Sequence, residues 1–194
     1  MKIYIIRHGE TARNRQGVLQ GRVDVPLNAN GIDQAEAAGR WFREHGISFE
    51  RAYASPLVRA VETARLAAGC EIITDERLIE MDYGPYEGMS LKDPDPEIRR
   101  FFSDFVHQPA PAGMEALADV TARLGVFLEE LKTAGLSGNI LISTHAIAMK
   151  GALEYLTPAS AGSYWSKYIG NCAVYAAELT ADGYTVPEEV LMTE

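Results

Sequence analysis

The sequence predicts an α/β protein, a three-layer α/β/α sandwich around a mostly parallel central sheet. Three observations predict it. Short, continuously apolar, β-branched runs such as Ile3-Tyr4-Ile5-Ile6 and Ile140-Leu141-Ile142 have the composition of strands buried on both faces. Segments between such runs carry apolar residues at helical spacing, as helices packed against a sheet do. Strands and helices also alternate along the chain, which is the pattern of parallel strands joined by crossover helices.

The elements follow in order. After the Ile3–Ile6 strand, Asn28 is placed to cap a helix whose inner face is Ile32, Ala35, Ala38 and Phe42, with Gly46 as its stop. Gly39 inside that helix costs about 1 kcal/mol against Ala. A short strand is expected at Ala52-Tyr53-Ala54. The next helix carries Leu57, Ala60, Val61, Ala64 and Ala68 and closes near Gly69. Between Lys92 and Pro111, four prolines surround Phe101, Phe102 and Phe105, which reads as a short helix inside an excursion from the sheet. A long helix then presents Leu117, Val120, Leu124, Phe127, Leu128 and Leu131. A buried strand over Asn139–Thr144 and a helix over Ala146–Tyr155 come next. Two final strands, Ala173–Leu179 and Tyr184–Leu191, are expected around the turn Ala181-Asp182-Gly183.

With 194 residues, the chain is expected to form one domain over 1–194, with the excursion at about 89–113 as a lid. That length buries about 70% of the surface the unfolded chain exposes, so no metal or disulfide is needed for folding. Asp and Glu number 27 against 18 Lys and Arg, and a net charge of -9 excludes general nucleic-acid binding. Cys70 and Cys172 lie far apart without metal-ligand spacing. No apolar run approaches a membrane span, and the opening apolar run is stopped by Arg7, too short for a signal peptide. The expectation is a cytoplasmic protein with no membrane partner, compatible with a homodimer.

The chemistry sits at the strand ends, where ligands of open α/β sheets gather. His8 follows the first strand directly, within Arg7-His8-Gly9-Glu10-Thr11. His145 follows Ile140–Thr144 at the start of a helix, where free N–H groups favour an anion. Arg59 falls in the first turn of the helix after the second strand. Singly, a strand-end histidine is more often structural and a helix-opening arginine is usually solvated. Together, two histidines and two arginines make a cationic pocket suited to a phosphate dianion. Metal binding lacks a third ligand at suitable spacing, so no metal and no cofactor are expected.

Arg7-His8-Gly9-Glu10-Thr11 with Asn14 resembles the signature of the histidine phosphatase superfamily, the phosphoglycerate mutase-like proteins. The resemblance continues through Gln20-Gly21, Asp24-x-Pro26-Leu27-x-x-x-Gly31-x-x-Gln34-Ala35 and Ser55-x-Leu57-x-Arg59-Ala60-x-x-Thr63. Leu78-x-Glu80-x-x-x-Gly84-x-x-Glu87-Gly88 and Ser143-Thr144-His145 complete the order, so it covers nearly the whole chain. It implies a phosphomonoester hydrolase acting through phosphohistidine on a small phosphorylated metabolite. By the same resemblance His8 is the nucleophile and Glu80 the acid that protonates the leaving oxygen and then activates water, with Asp82 and Glu87 as rival carboxylates. Arg7, Arg59 and His145 surround the phosphoryl group; Asn14, the backbone near Gln20-Gly21 and the helix start at Ala146 complete its binding site.

Three positions depart from the family pattern. Arg13 stands where Trp is frequent, Ala146 where Gly is frequent, and Ala116 where Ser is common. Ala146 narrows the phosphate pocket by a methyl group, and Arg13 adds a cation near its mouth. A cofactor-dependent phosphoglycerate mutase is the alternative, although such mutases carry a longer insertion after the acid motif. A non-catalytic phosphate-binding module is the third reading, and intact His8 argues against it. The aromatics Phe101, Phe102 and Phe105, with Tyr164-Trp165-Ser166-Lys167-Tyr168, offer a wall for an α-ribazole phosphate, a sugar phosphate, a phosphoglycerate or an aryl phosphate, or else simply pack the core.

Overall fold

In the computed structural model, which describes residues 1–192, the opening apolar run becomes a strand with both faces buried. The elements run β1 (Lys2–Arg7), α1 (Ala12–Gln16), α2 (Ala29–Glu44), β2 (Phe49–Ala54), α3 (Val58–Ala68) and β3 (Ile72–Thr74). They continue with α4 (Pro96–Ser103), α5 (Leu117–Thr133), β4 (Asn139–Thr144), α6 (Ala146–Leu156), β5 (Val174–Thr180), β6 (Gly183–Tyr184) and β7 (Glu188–Val190). Among the described residues no helix is long and apolar enough to cross a membrane.

The strands line up as β3-β2-β4-β1-β5-β6, with β7 paired to β5. Pairing is parallel from β3 to β1 and antiparallel from β1 onward, so the sheet is mixed with a parallel half that carries the site. Alternation along β1 sends Ile3 and Ile5 into a core with Leu124, Leu128, Met149 and Leu153, the layer of α5 and α6. Tyr4 and Ile6 join Ala35, Ala38, Phe42 and Ala67 on the opposite face, the layer of α2 and α3.

Asn28 caps α2 as expected, its side chain accepting from Gly31 N at 2.8 Å. Gly39 is explained by packing. A Cβ there would meet the Leu66 carbonyl oxygen of α3 at 2.5 Å, so the glycine lets α2 and α3 cross closely. Gly31 does the same for the loop after β1: a Cβ on it would meet Glu10 N at 2.6 Å.

One expectation is corrected. The strand foreseen at Tyr184–Leu191 is two short pieces, β6 and β7, separated around Pro187, which has no N–H for the ladder. Two elements went unforeseen: α1, which is five residues long, and the edge strand β3, which is three. Both are too short to show periodicity.

Candidate active site

Strand register assembles the site. Arg7 at the end of β1 pairs with Thr144 at the end of β4, and Ala54 of β2 pairs with Ser143. The residues that follow these ends, His8, His145 and Ser55, therefore emerge side by side. The two imidazole rings lie 5.1 Å apart, centre to centre.

His8 is 3% exposed and its Nδ1 lies 2.7 Å from the Gly9 carbonyl oxygen. That acceptor requires the proton on Nδ1, which leaves Nε2 with a free lone pair. The loop is pinned by Gly9 N donating to Thr63 Oγ1 at 3.0 Å and by Asn171 Nδ2 donating to the His8 carbonyl at 3.0 Å. Burial holds the His8 ring well below the ordinary histidine pKa of 6.5, with the charges of Arg7 and Arg59 adding to the effect. The ring is therefore neutral at pH 7.

Arg59 is fully buried. Its Nη1 donates to Val23 O at 2.8 Å and its Nη2 to Gly21 O at 2.6 Å. Burial brings its pKa down to about 10, so it remains a cation at neutral pH. Its Nε lies 3.2 Å from His145 Nδ1. Hydrogen bonding also assigns the Gln20 amide: with its nitrogen donating to Thr11 Oγ1 at 2.7 Å, its oxygen accepts from Arg59 Nε at 2.7 Å. On the far side of His145, Nε2 lies 2.8 Å from Ser55 Oγ. Burial, followed by the charge of Arg59, keeps the His145 ring well below its ordinary pKa too.

Arg7 donates from Nη1 to Ile169 O at 2.6 Å, while its buried Nε has no partner among the described residues. Burial lowers its pKa. An orphaned buried donor costs about 1–3 kcal/mol, a cost that a phosphoryl oxygen would relieve. Asn14 accepts at Oδ1 from Thr11 N at 3.1 Å, which leaves its amide nitrogen available. Thr11 in turn caps α1 by accepting from Asn14 N at 3.2 Å.

Glu80 is 3% exposed, and its carboxylate sits on the start of α6. It accepts from Met81 N at 2.8 Å, Ala148 N at 3.0 Å and Ile147 N at 3.2 Å. The helix-start N–H groups expected to hold a substrate anion are thus largely taken by Glu80, and the Ala146 N–H is the one left without a partner among the described residues. The Glu80 loop is clamped from behind by Arg123 Nη1, which donates to Arg77 O at 2.7 Å and Ile79 O at 2.6 Å.

The rival carboxylates are engaged elsewhere. Asp82 accepts from Gly84 N at 2.8 Å and pairs with Arg22 at 3.3 Å near the surface. Glu87 accepts from Gly21 N at 3.0 Å and Arg22 N at 3.0 Å, and pairs with Arg13 at 3.0 Å. So the cation added at Arg13 is spent on Glu87. The Gly21 N–H is likewise committed; Gln20 and Gly21 hold Arg59 in place. Among the described residues no three His, Cys, Asp or Glu side chains are placed to hold a metal ion.

Sequence reasoning missed the roles of Ser55, Thr63 and Asn171. The first two lie inside the Ser55-to-Thr63 pattern, and Ser55 follows a strand end directly, a signal that was there to read. Asn171 reaches the site from the chain's far end, with no local pattern to mark it.

This fold, with two histidines and two arginines converging at its strand ends, defines a protein built to hold a phosphoryl group against a histidine. The chain belongs to the histidine phosphatase superfamily (branch 1), whose family model matches residues 3–189. Phosphoserine phosphatase 1 of Hydrogenobacter thermophilus is 30% identical over 173 residues, covering 86% of this chain and 81% of that protein. The 2,3-bisphosphoglycerate-dependent phosphoglycerate mutase of Azorhizobium caulinodans is 31% identical over 173 residues, covering 80% of this chain and 82% of its own. A histidine-to-alanine mutant of phosphoserine phosphatase from Entamoeba histolytica, crystallised with phosphoserine, superposes with a TM-score of 0.84. It is 25% identical and covers 98% of this chain and 97% of that one.

Proposed function

We propose that the protein hydrolyses small phosphomonoesters through a phosphohistidine on His8. Nε2 attacks phosphorus in line, the N–P bond forms, and the ester P–O bond breaks with its electron pair leaving on oxygen. Glu80 gives that oxygen a proton. The resulting carboxylate then takes a proton from water as the water oxygen attacks phosphorus, the N–P bond breaks, and inorganic phosphate leaves. Arg7, Arg59, His145, the Asn14 amide and the Ala146 N–H stabilise charge on the equatorial oxygens. Fixed cations and N–H groups supply that charge, so the mechanism uses no metal. The reading rests on one observation above all: the Nδ1–H bond of His8 to the Gly9 carbonyl, which leaves Nε2 unprotonated in a buried ring.

The catalytic unit is read as the whole of 1–194, with the segment around 89–113 as a wall over the substrate. A cytoplasmic setting is in keeping with the two free thiols, Cys70 and Cys172. The mutase relatives give a definite alternative outcome. Phosphate release across a panel of phosphomonoesters, run beside an assay coupled to interconversion of the phosphoglycerates, separates them. Release of inorganic phosphate with no interconversion is expected. Interconversion as the dominant reaction would replace the hydrolase reading by the mutase one.

A further inference from the structure

We propose that Lys150 binds a carboxylate of the substrate beside its phosphoester, so that the enzyme acts on phosphorylated carboxylic acids. The inference rests on the reading that the phosphoryl group occupies the cluster around His8 and Arg7.

Lys150 is a buried charge that the protein leaves only partly satisfied. It is 8% exposed, and its ammonium donates to the Trp165 carbonyl at 2.7 Å and lies 5.1 Å above the Phe105 ring. Among the described residues it forms no ion pair, and two of its three N–H donors have no protein acceptor. Burial pushes its pKa down to about 8, so it remains mostly charged at pH 7. The Glu80 carboxylate favours this charge from a distance and Arg7 opposes it. A buried ion without an adjacent counter-charge costs several kcal/mol, and an anionic ligand group would offset that cost.

The surroundings fit such a ligand. Lys150 lines a cavity of about 390 Å³ with Phe102, Phe105, Trp165 and Tyr168. The half-buried Phe105 and buried Trp165 make the surroundings of the ammonium less polar, which strengthens a charge-assisted hydrogen bond there. The carboxylate in the lining, Asp104, is turned to His107, accepting from its Nδ1 at 2.9 Å and its backbone N at 3.1 Å. The cavity lies beside the phosphate cluster. Lys150 is one turn along α6 from Ala146, about 6 Å along the helix axis. On the opposite wall, Tyr168 precedes Ile169, whose carbonyl holds Arg7. Glu80 and Arg7 of the phosphate cluster are near enough to act on the Lys150 charge, so a phosphoester with a carboxylate one or two carbons from its ester oxygen can place that group toward Lys150.

The test is a binding measurement on the His8→Ala protein, which does not turn ligand over. Calorimetric titrations compare 3-phosphoglycerate with glycerol 3-phosphate, which differ only in carboxylate against hydroxymethyl. The expected preference for 3-phosphoglycerate is about 10- to 100-fold, the size of a hydrogen bond to a charged group. Adding Lys150→Met should remove the preference, and Lys150→Arg should retain part of it. Equal affinity for both ligands in His8→Ala, or equal weakening of both by Lys150→Met, would overturn the assignment. Binding of neither ligand would overturn the phosphate site itself, and this inference with it. Should Lys150→Met not fold, the unmutated enzyme carries the same comparison. Its kcat/KM for O-phosphoserine should exceed that for O-phosphoethanolamine about tenfold or more, and parity would overturn the proposal.

Discussion

His8 and Tyr168 show how differently the phosphate cluster and the neighbouring aromatic cavity are built. His8 ends a central strand. Its backbone N donates to Thr144 O at 2.9 Å, its carbonyl accepts from Asn171, and its ring is fixed by the Gly9 carbonyl. Tyr168 lies in irregular chain just after a turn and is 88% exposed. The contrast extends to their neighbours. Arg59, His145 and Glu80 are tied by backbone carbonyls, N–H groups and Ser55, whereas Phe102 and Phe105 are held by ring packing on each other and on the buried Phe101, with ring centres 4.8 to 5.7 Å apart. Phosphoryl transfer needs atoms placed to a fraction of an ångström, which strand ends supply. Substrate choice needs a wall that can vary without disturbing them.

Breaking the rigid side should cost the most. His8→Ala should lower turnover about 10⁴-fold or more on every phosphoester, with an unchanged circular dichroism spectrum as the check on folding. Glu80→Gln comes next: in single-turnover measurements alkyl phosphates should slow by about 10²–10⁴-fold. p-Nitrophenyl phosphate, whose leaving group needs little protonation, should suffer far less. Asp82→Asn should show no such dependence on the leaving group, because Asp82 is committed to Gly84 and Arg22. Ser55→Ala removes the partner of His145 Nε2 and should lower kcat about tenfold, roughly one hydrogen bond's worth.

The buried histidines also set the response to acid. Their folded-state pKa values lie well below 6.5, so between 6.5 and those values the unfolded chain binds protons that the folded protein does not. Stability should hold above pH 6.5 and fall as the pH drops below it; denaturant titrations at successive pH values would show this. The acid limb of kcat/KM should likewise lie below 6.5, where His8 at last protonates. On the variable side the effect should be smallest. Phe105→Leu should change KM within about tenfold and leave the single-turnover rate near its original value.

Much of the rigid side was legible in the sequence because strand ends are local events: an apolar run stops, and the next residue is His8 or His145. The long helices and Gly39 were legible too, although the reason for Gly39, the Leu66 carbonyl of a neighbouring helix, is a tertiary contact. What pairing decides was not legible. The three peptide N–H groups on Glu80 come from two separate segments of the chain, so they could not be read locally. The Gly21 N–H was expected to face phosphate, yet it serves Glu87, which lies 66 residues away in the chain. The strand expected over Tyr184–Leu191 failed for a local reason, Pro187, which the alternation of apolar residues masked.

The most direct test of the central claim is to trap the covalent intermediate. The protein is mixed with a ³²P-labelled phosphomonoester under single-turnover conditions and quenched in base within the time of the first chemical step. The wild type should carry label that survives base and is lost in acid, mapping to the peptide that contains His8, and His8→Ala should carry none. Label persisting on His8→Ala, or mapping to His145, would contradict the account.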